Sequence, residues 1–154
     1  MWWGVILFLS LVYNGYIFWR FKKVPESLSE TSYLLGGNKR YLFSLYCLIT
    51  GIILLLELLN RSVDGYEFLP FLLCTGICFA GISPLFRDGI EKIVHYVSSF
   101  AAFTAFIVYM ILFLDWKWIA VYCTALTLLC LWKKDSYTYF AEILALIVLT
   151  ISLI

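Results

Sequence analysis

Six long apolar runs, separated by shorter polar stretches, dominate the hydrophobic pattern of the chain. The runs cover residues 2–19, 41–60, 68–86, 93–114, 116–132 and 137–154. A membrane-spanning helix needs about 20 predominantly apolar residues, within a range of about 17–25, so each run is long enough to cross a bilayer. The pattern predicts an all-α polytopic membrane protein, a compact bundle of six transmembrane helices that forms one domain over residues 1–154.

Tryptophan residues mark the boundaries of these runs. All six tryptophans lie at the ends of apolar segments, at Trp2, Trp3, Trp19, Trp116, Trp118 and Trp132. Tryptophan favours the headgroup level of a bilayer, because its ring is apolar while its N–H seeks a polar partner. From residue 41 onward the linkers are short, so consecutive helices are expected to be antiparallel neighbours.

The basic residues predict an orientation. Of the 11 lysines and arginines, only Arg61 and Lys117 fall on one side of the predicted bundle. The other nine fall on the opposite side, at Arg20, Lys22, Lys23, Lys39, Arg40, Arg87, Lys92, Lys133 and Lys134. Cytoplasmic loops carry an excess of Lys and Arg. The loops after the first, third and fifth spans are therefore expected in the cytoplasm, and both termini outside, for a protein of the cytoplasmic membrane.

The one long loop, residues 20–40, has helical signals of its own. Ser27 and Glu30 have the spacing of a capping box, in which each side chain pairs with a free backbone N–H. Gly36 and Gly37 supply a stop. We expect a short amphipathic helix at about residues 28–35, which either lies flat on the cytoplasmic headgroups or caps the inner mouth of the bundle.

Composition narrows the class of protein. Hydrophobic residues make up 64% of the chain and charged residues 14%, against about 45–50% and about 25% in soluble domains. Almost no sequence remains for a soluble domain. The net charge of +1 gives no basis for a nucleic-acid partner.

The five cysteines lie inside the predicted spans, at Cys47, Cys74, Cys78, Cys123 and Cys130. Their number is odd, and they lack the close C-x-x-C spacing of zinc sites. We interpret them as small packing residues. The sequence predicts neither a metal site nor a cofactor.

The third span carries small residues at four-residue intervals, Gly76, Ala80 and then Pro84. Small residues at this spacing let helix backbones approach closely in a membrane. This helix is expected at the centre of the bundle.

Ionisable residues within spans are the main functional candidates, because a charge in hydrocarbon costs several kcal/mol. Glu142 lies about five residues inside the last span, with no basic residue one turn away. His95, the only histidine, lies near the inner end of the fourth span. Each has a structural alternative: a glutamate that reaches the inner surface, and a hydrogen-bonded packing histidine.

Four further polar residues accompany His95 as candidates. Asp88 and Glu91 precede it on one helical face, and Ser98 and Ser99 continue a small, polar stripe. Asp88 and Glu91 also suit the N-cap and N3 positions of the fourth helix, where negative charge is favourable.

Two other polar residues inside spans have structural interpretations. Glu57 lies one turn before Arg61, the favourable order for an ion pair. Asn14 is suited to a hydrogen bond between helices.

Residues 81–99 read GISPLFRDGIEKIVHYVSS. This stretch resembles a pattern of small Frag1-like six-span proteins, in which a small-residue helix leads through a short acidic turn into a helix that opens with histidine. Those proteins look distantly like the ceramidase/adiponectin-receptor superfamily, which implies a zinc site built from several histidines. Since this chain has one histidine, the resemblance carries over the architecture without the zinc motif.

Three functional hypotheses remain open. The first is a non-enzymatic bundle that binds a membrane lipid, or regulates or scaffolds another membrane protein, with a second copy of the chain as another possible partner. The second is a small transporter or channel that uses Glu142 and His95 near the cytoplasmic face. The third is a membrane lipid hydrolase that uses Asp88 together with those two residues.

Overall fold

The computed structural model describes residues 2–82, 89–132 and 134–154, and over these ranges the chain is helical with no strand. The α-helices are α1 (Trp3–Phe21), α2 (Glu30–Leu35), α3 (Tyr41–Leu59), α4 (Phe68–Ile82), α5 (Gly89–Phe113), α6 (Trp116–Trp132) and α7 (Tyr137–Ser152). Short 3-10 turns at Gly37–Arg40 and Lys134–Ser136 lead into α3 and α7. The all-α prediction is confirmed.

Four segments are long and apolar enough to cross a membrane: Trp3–Phe21, Gly37–Leu59, Gly89–Phe113 and Lys134–Ser152. Helices α4 and α6 are apolar but shorter, with 15 and 17 residues. Residues 83–86 of the predicted third span lie outside the described residues. The apolar helices indicate a multi-pass membrane protein.

Helix α4 packs between α3 and α5, as its small residues predicted. A Cβ atom added at Gly76 would lie 2.7 Å from the carbonyl oxygen of Ser98 in α5. On the other side, a Cβ at Gly81 would collide with Cys47 of α3. The absence of side chains at these two positions is therefore what lets the three helices pack closely. Pro84 lies outside the described residues.

The remaining helices complete the bundle. Helix α1 packs on α3 and α7, while α6 packs mainly on α7. The Tyr139 hydroxyl of α7 donates to Asn14 Oδ1 of α1 over 2.7 Å, which is the interhelical bond expected of Asn14. At the opposite end, the Trp2 N–H donates to the buried Glu57 carboxylate over 2.9 Å and fixes the start of α1.

The polar connection between α1 and α3 is packed against the bundle. Thr31 and Ser32 of α2 are 0% and 2% exposed. The Glu30 N–H donates to Ser27 Oγ over 3.1 Å, as the capping box requires. The Glu30 carboxylate accepts from the N–H of Glu26, one residue before the expected partner. Helix α2 begins at Glu30 instead of residue 28, and it caps one end of the bundle.

Candidate functional site

A cavity of about 110 Å³ lies between four helices, at the end of the bundle where α3, α5 and α7 begin. Its wall is mainly apolar, formed by side chains that include Phe43, Leu73, Ile77, Phe106, Leu146 and Leu149. Leu28 and Ser29 also line it, and both are buried. They belong to residues 22–29, the lid segment, which joins α1 to α2 and closes this end of the cavity.

Glu142 of α7 lies on the cavity wall and is half-buried. Its Oε2 atom accepts a hydrogen bond of 2.7 Å from the Leu28 N–H of the lid segment. A carboxylate removed from water needs such donors, because burial without them is costly. Glu142 therefore holds the lid segment against α7 and at the same time supplies the cavity with an acidic group.

His95 of α5 lies on the same wall and is 5% exposed. Its Nδ1 atom is 3.0 Å from the carbonyl oxygen of Ala80 in α4. Since a carbonyl only accepts, Nδ1 must carry the hydrogen in this bond. The histidine thus has the packing role that its structural alternative predicted, and it also contributes to the cavity that Glu142 lines.

Thr50 of α3 is a further polar residue of the cavity, which sequence reasoning missed. It is 0% exposed, and its Oγ1 atom has no hydrogen-bond partner within the described ranges. An unpaired buried hydroxyl is unfavourable and calls for a partner such as water or a ligand. The sequence signal available was its position one helical turn after Tyr46 and Cys47, on the side of α3 that faces inward.

The other predicted site residues separate into two groups. Ser99 lines the cavity beside His95, one helical turn further along α5. Ser98 donates to the Val94 carbonyl over 2.6 Å within its own helix, and Glu91 is exposed at the start of α5. Neither of these two lines the cavity. Asp88 lies outside the described residues.

The described residues contain no group of three or more His, Cys, Asp or Glu side chains placed to hold a metal ion. The cavity instead offers one carboxylate, one imidazole, one thiol and four hydroxyl groups on an apolar wall, the hydroxyls being those of Ser29, Tyr46, Thr50 and Ser99. These groups can exchange hydrogen bonds or a proton with an occupant.

The size of the cavity limits that occupant. Its volume of about 110 Å³ is below the roughly 300–1,000 Å³ of pockets that enclose a drug-sized ligand. It is closer to engineered cavities of about 150 Å³, which hold one benzene molecule. The cavity therefore has room for a few water molecules or for one end of a larger molecule.

No family model, curated protein or solved structure matches the chain.

Proposed function

We propose that the chain is a non-enzymatic, lipid-binding protein of the cytoplasmic membrane, and that the cavity holds one end of a membrane lipid. The observation that carries this proposal is the unpaired Thr50 hydroxyl in a mainly apolar cavity that Glu142 and His95 also line. Lipids combine an apolar chain with a polar end that makes hydrogen bonds. This combination complements the cavity wall.

The polar end of the lipid would lie near Glu142 and Thr50. Among the described residues, Glu142 accepts a hydrogen bond through Oε2, which leaves Oε1 for a hydroxyl or amino donor of the ligand. Phe103 lines the cavity and is 39% exposed, so the wall is thin at this position. An acyl chain would leave past Phe103 toward the surrounding lipid.

The proposal includes six spans, with the cavity end in the cytoplasm. Helix α6 has 17 residues and reaches about 26 Å at 1.5 Å per residue, close to the thickness of the hydrocarbon core. The excess of basic residues at the cavity end supports the cytoplasmic assignment, with which both termini would lie outside. The exposed apolar side chains suit lipid, a second copy of the chain or another membrane protein.

Thr50→Val gives the sharpest test, with Thr150→Val as the matched control. Thr150 is equally buried, but its hydroxyl donates to the Leu146 carbonyl over 2.6 Å. We expect Thr50→Val to stabilise the lipid-free protein by about 1–3 kcal/mol, because it removes an unpaired polar group. It should also weaken lipid retention about fivefold, since one hydrogen bond is worth about 1 kcal/mol.

Lipid retention is measured by native mass spectrometry of protein purified in a mild detergent, and stability by reversible unfolding. The wild type and Thr150→Val should retain the same amount of lipid per chain, while Thr50→Val and Glu142→Gln retain less. Equal retention in all four proteins would refute the proposal.

A second candidate function is supported by one observation, that Glu142 and His95 line the same cavity. In this case the pair would bind a proton or a cation in a small transporter. Proteoliposomes that contain the wild type should then show proton or cation flux above that of empty liposomes. Glu142→Gln should abolish that flux, and a wild type without flux would dismiss this candidate.

A further inference from the structure

The α1–α3 connection borders a second concave surface, here named the basic groove, with a volume of about 500 Å³. It shares no lining residue with the cavity. Helix α1 contributes Tyr16, Arg20 and Phe21, and the segment from the end of α2 contributes Leu34, Leu35, Gly36, Gly37, Asn38 and Lys39.

All charged residues that line the basic groove are basic. Arg20 and Lys39 come from its two sides, both are exposed, and no carboxylate lines the groove. Neither side chain is in an ion pair within the ranges that the structure describes. In contrast, the Lys117 ammonium lies 2.7 Å from the Asp115 carboxylate, and the Lys23 ammonium lies 3.8 Å from that of Glu30.

The floor of the basic groove is apolar and lies at the end of the spans. Phe21 is the last residue of α1, and Tyr41 begins α3. Leu34, Leu35 and Phe21 therefore provide half-buried apolar surface beside the end of α1 and the start of α3. Gly36 and Gly37 have φ values of +62° and +48°, a conformation that glycine adopts without strain. Because glycine has no side chain, a ligand can approach the backbone closely at these two positions.

We propose that the basic groove binds the phosphate of an anionic phospholipid, with Arg20 and Lys39 as its two cationic partners. Guanidinium binds phosphate oxygens in a bidentate manner, and ammonium adds a point charge. The start of an acyl chain would pack on the apolar floor. Basic clusters next to membrane spans attract anionic lipids, by about 1 kcal/mol per cation. This site is independent of the lipid proposed for the cavity.

The test is a titration of the purified full chain in detergent micelles with phosphatidylglycerol and with phosphatidylcholine, followed by native mass spectrometry. Arg20→Gln/Lys39→Gln is compared with Lys92→Gln/Lys134→Gln, which removes the same charge from exposed positions at the same end of the bundle. We expect the wild type to prefer phosphatidylglycerol. The groove variant should bind it about 30-fold more weakly, roughly fivefold per cation, and the control less than twofold more weakly.

Several outcomes would overturn the proposal. Equal losses in the two double variants would show diffuse attraction instead of a site, and equal affinity of the wild type for both lipids would exclude charge recognition. Displacement of phosphatidylglycerol by millimolar inorganic phosphate would assign the site to free phosphate. A photoreactive phosphatidylglycerol provides a test that needs no variant: it should label residues 34–39 of the wild type, and an absence of label in these residues would also refute the site.

Discussion

The hydrogen bond from the Leu28 N–H to Glu142 joins the lid segment to the wall of the cavity. The closure of the cavity is therefore expected to depend on this bond. Replacing Glu142 with alanine removes the acceptor and leaves the N–H of Leu28 without its partner, in a residue that is 7% exposed. Hydrogen bonds to charged groups contribute about 1.5–3 kcal/mol. We therefore expect the open form of the lid segment to become about 10- to 150-fold more populated.

Hydrogen exchange measured by mass spectrometry reports this change at the peptide that contains Leu28. When closing is faster than exchange, the exchange rate of the Leu28 amide is proportional to the open population, so it should rise by the same factor. Glu142→Gln should give a smaller increase, because its amide oxygen still accepts a hydrogen bond, but a neutral one.

Glu67→Ala is the matched control for this experiment. The Glu67 carboxylate also accepts a backbone hydrogen bond, from the Gly65 N–H over 2.9 Å, but at an exposed site. Water can replace it there, so exchange at Leu28 should stay at the wild-type rate. If Glu142→Ala leaves the exchange of Leu28 within twofold of the wild type, this bond does not hold the lid segment. The hydrogen bond from the Tyr139 N–H to the Glu26 carbonyl would then be the stronger candidate.

Three further predictions follow from packing and polar contacts. Gly76→Ala should lower the free energy of unfolding by about 1–3 kcal/mol, because the added Cβ would lie 2.7 Å from a carbonyl oxygen of α5. Gly4→Ala is the control and should change the free energy of unfolding little, because no atom lies within 4 Å of a Cβ added there. Tyr139→Phe removes the 2.7 Å hydrogen bond to α1 and should cost about 0.6 kcal/mol, the average for such bonds in a membrane, measured by unfolding in denaturing detergent. A lipid-soluble maleimide should label the exposed Cys123 much faster than the buried Cys47, and equal rates would contradict the packing of α3.

The membrane-spanning helices could be predicted from the sequence because each coincides with a long apolar run. The residues at which the helices begin were harder to predict. Helix α5 starts at Gly89, as the N-cap and N3 positions of Asp88 and Glu91 predicted. The apolar run alone began at residue 93, because the first turn of the helix is polar. For α2, the Ser27 hydroxyl pairs with the Glu30 N–H as predicted. Residues 28 and 29 nevertheless form a turn, and the helix begins only at Glu30.

The site was predictable only within single helices. His95 and Ser99 are one turn apart, so their shared face follows from helical geometry. Ser98 differs by one position, a rotation of about 100°, and it turns toward its own backbone. That Glu142 lines the same cavity depends on the rotation of α7 relative to α5, which side-chain packing determines and no local pattern encodes. Thr50 was not predicted as a site residue, because a single hydroxyl group hardly alters the mean hydropathy of the apolar run that contains it.

The lid segment should open before the helices of the bundle unfold. Ordering a residue costs about 1–2 kcal/mol of backbone entropy. In the α-helices, internal hydrogen bonds offset this cost. Residues 22–29 lie outside the α-helices and lack these bonds. Contacts with α7 help to offset it for the lid segment, through Glu142 and through the Tyr139 N–H that donates to the Glu26 carbonyl. A segment held by few contacts opens at lower free energy than the helices around it. Opening of the lid segment would therefore expose this end of the cavity while the helices of the bundle remain folded.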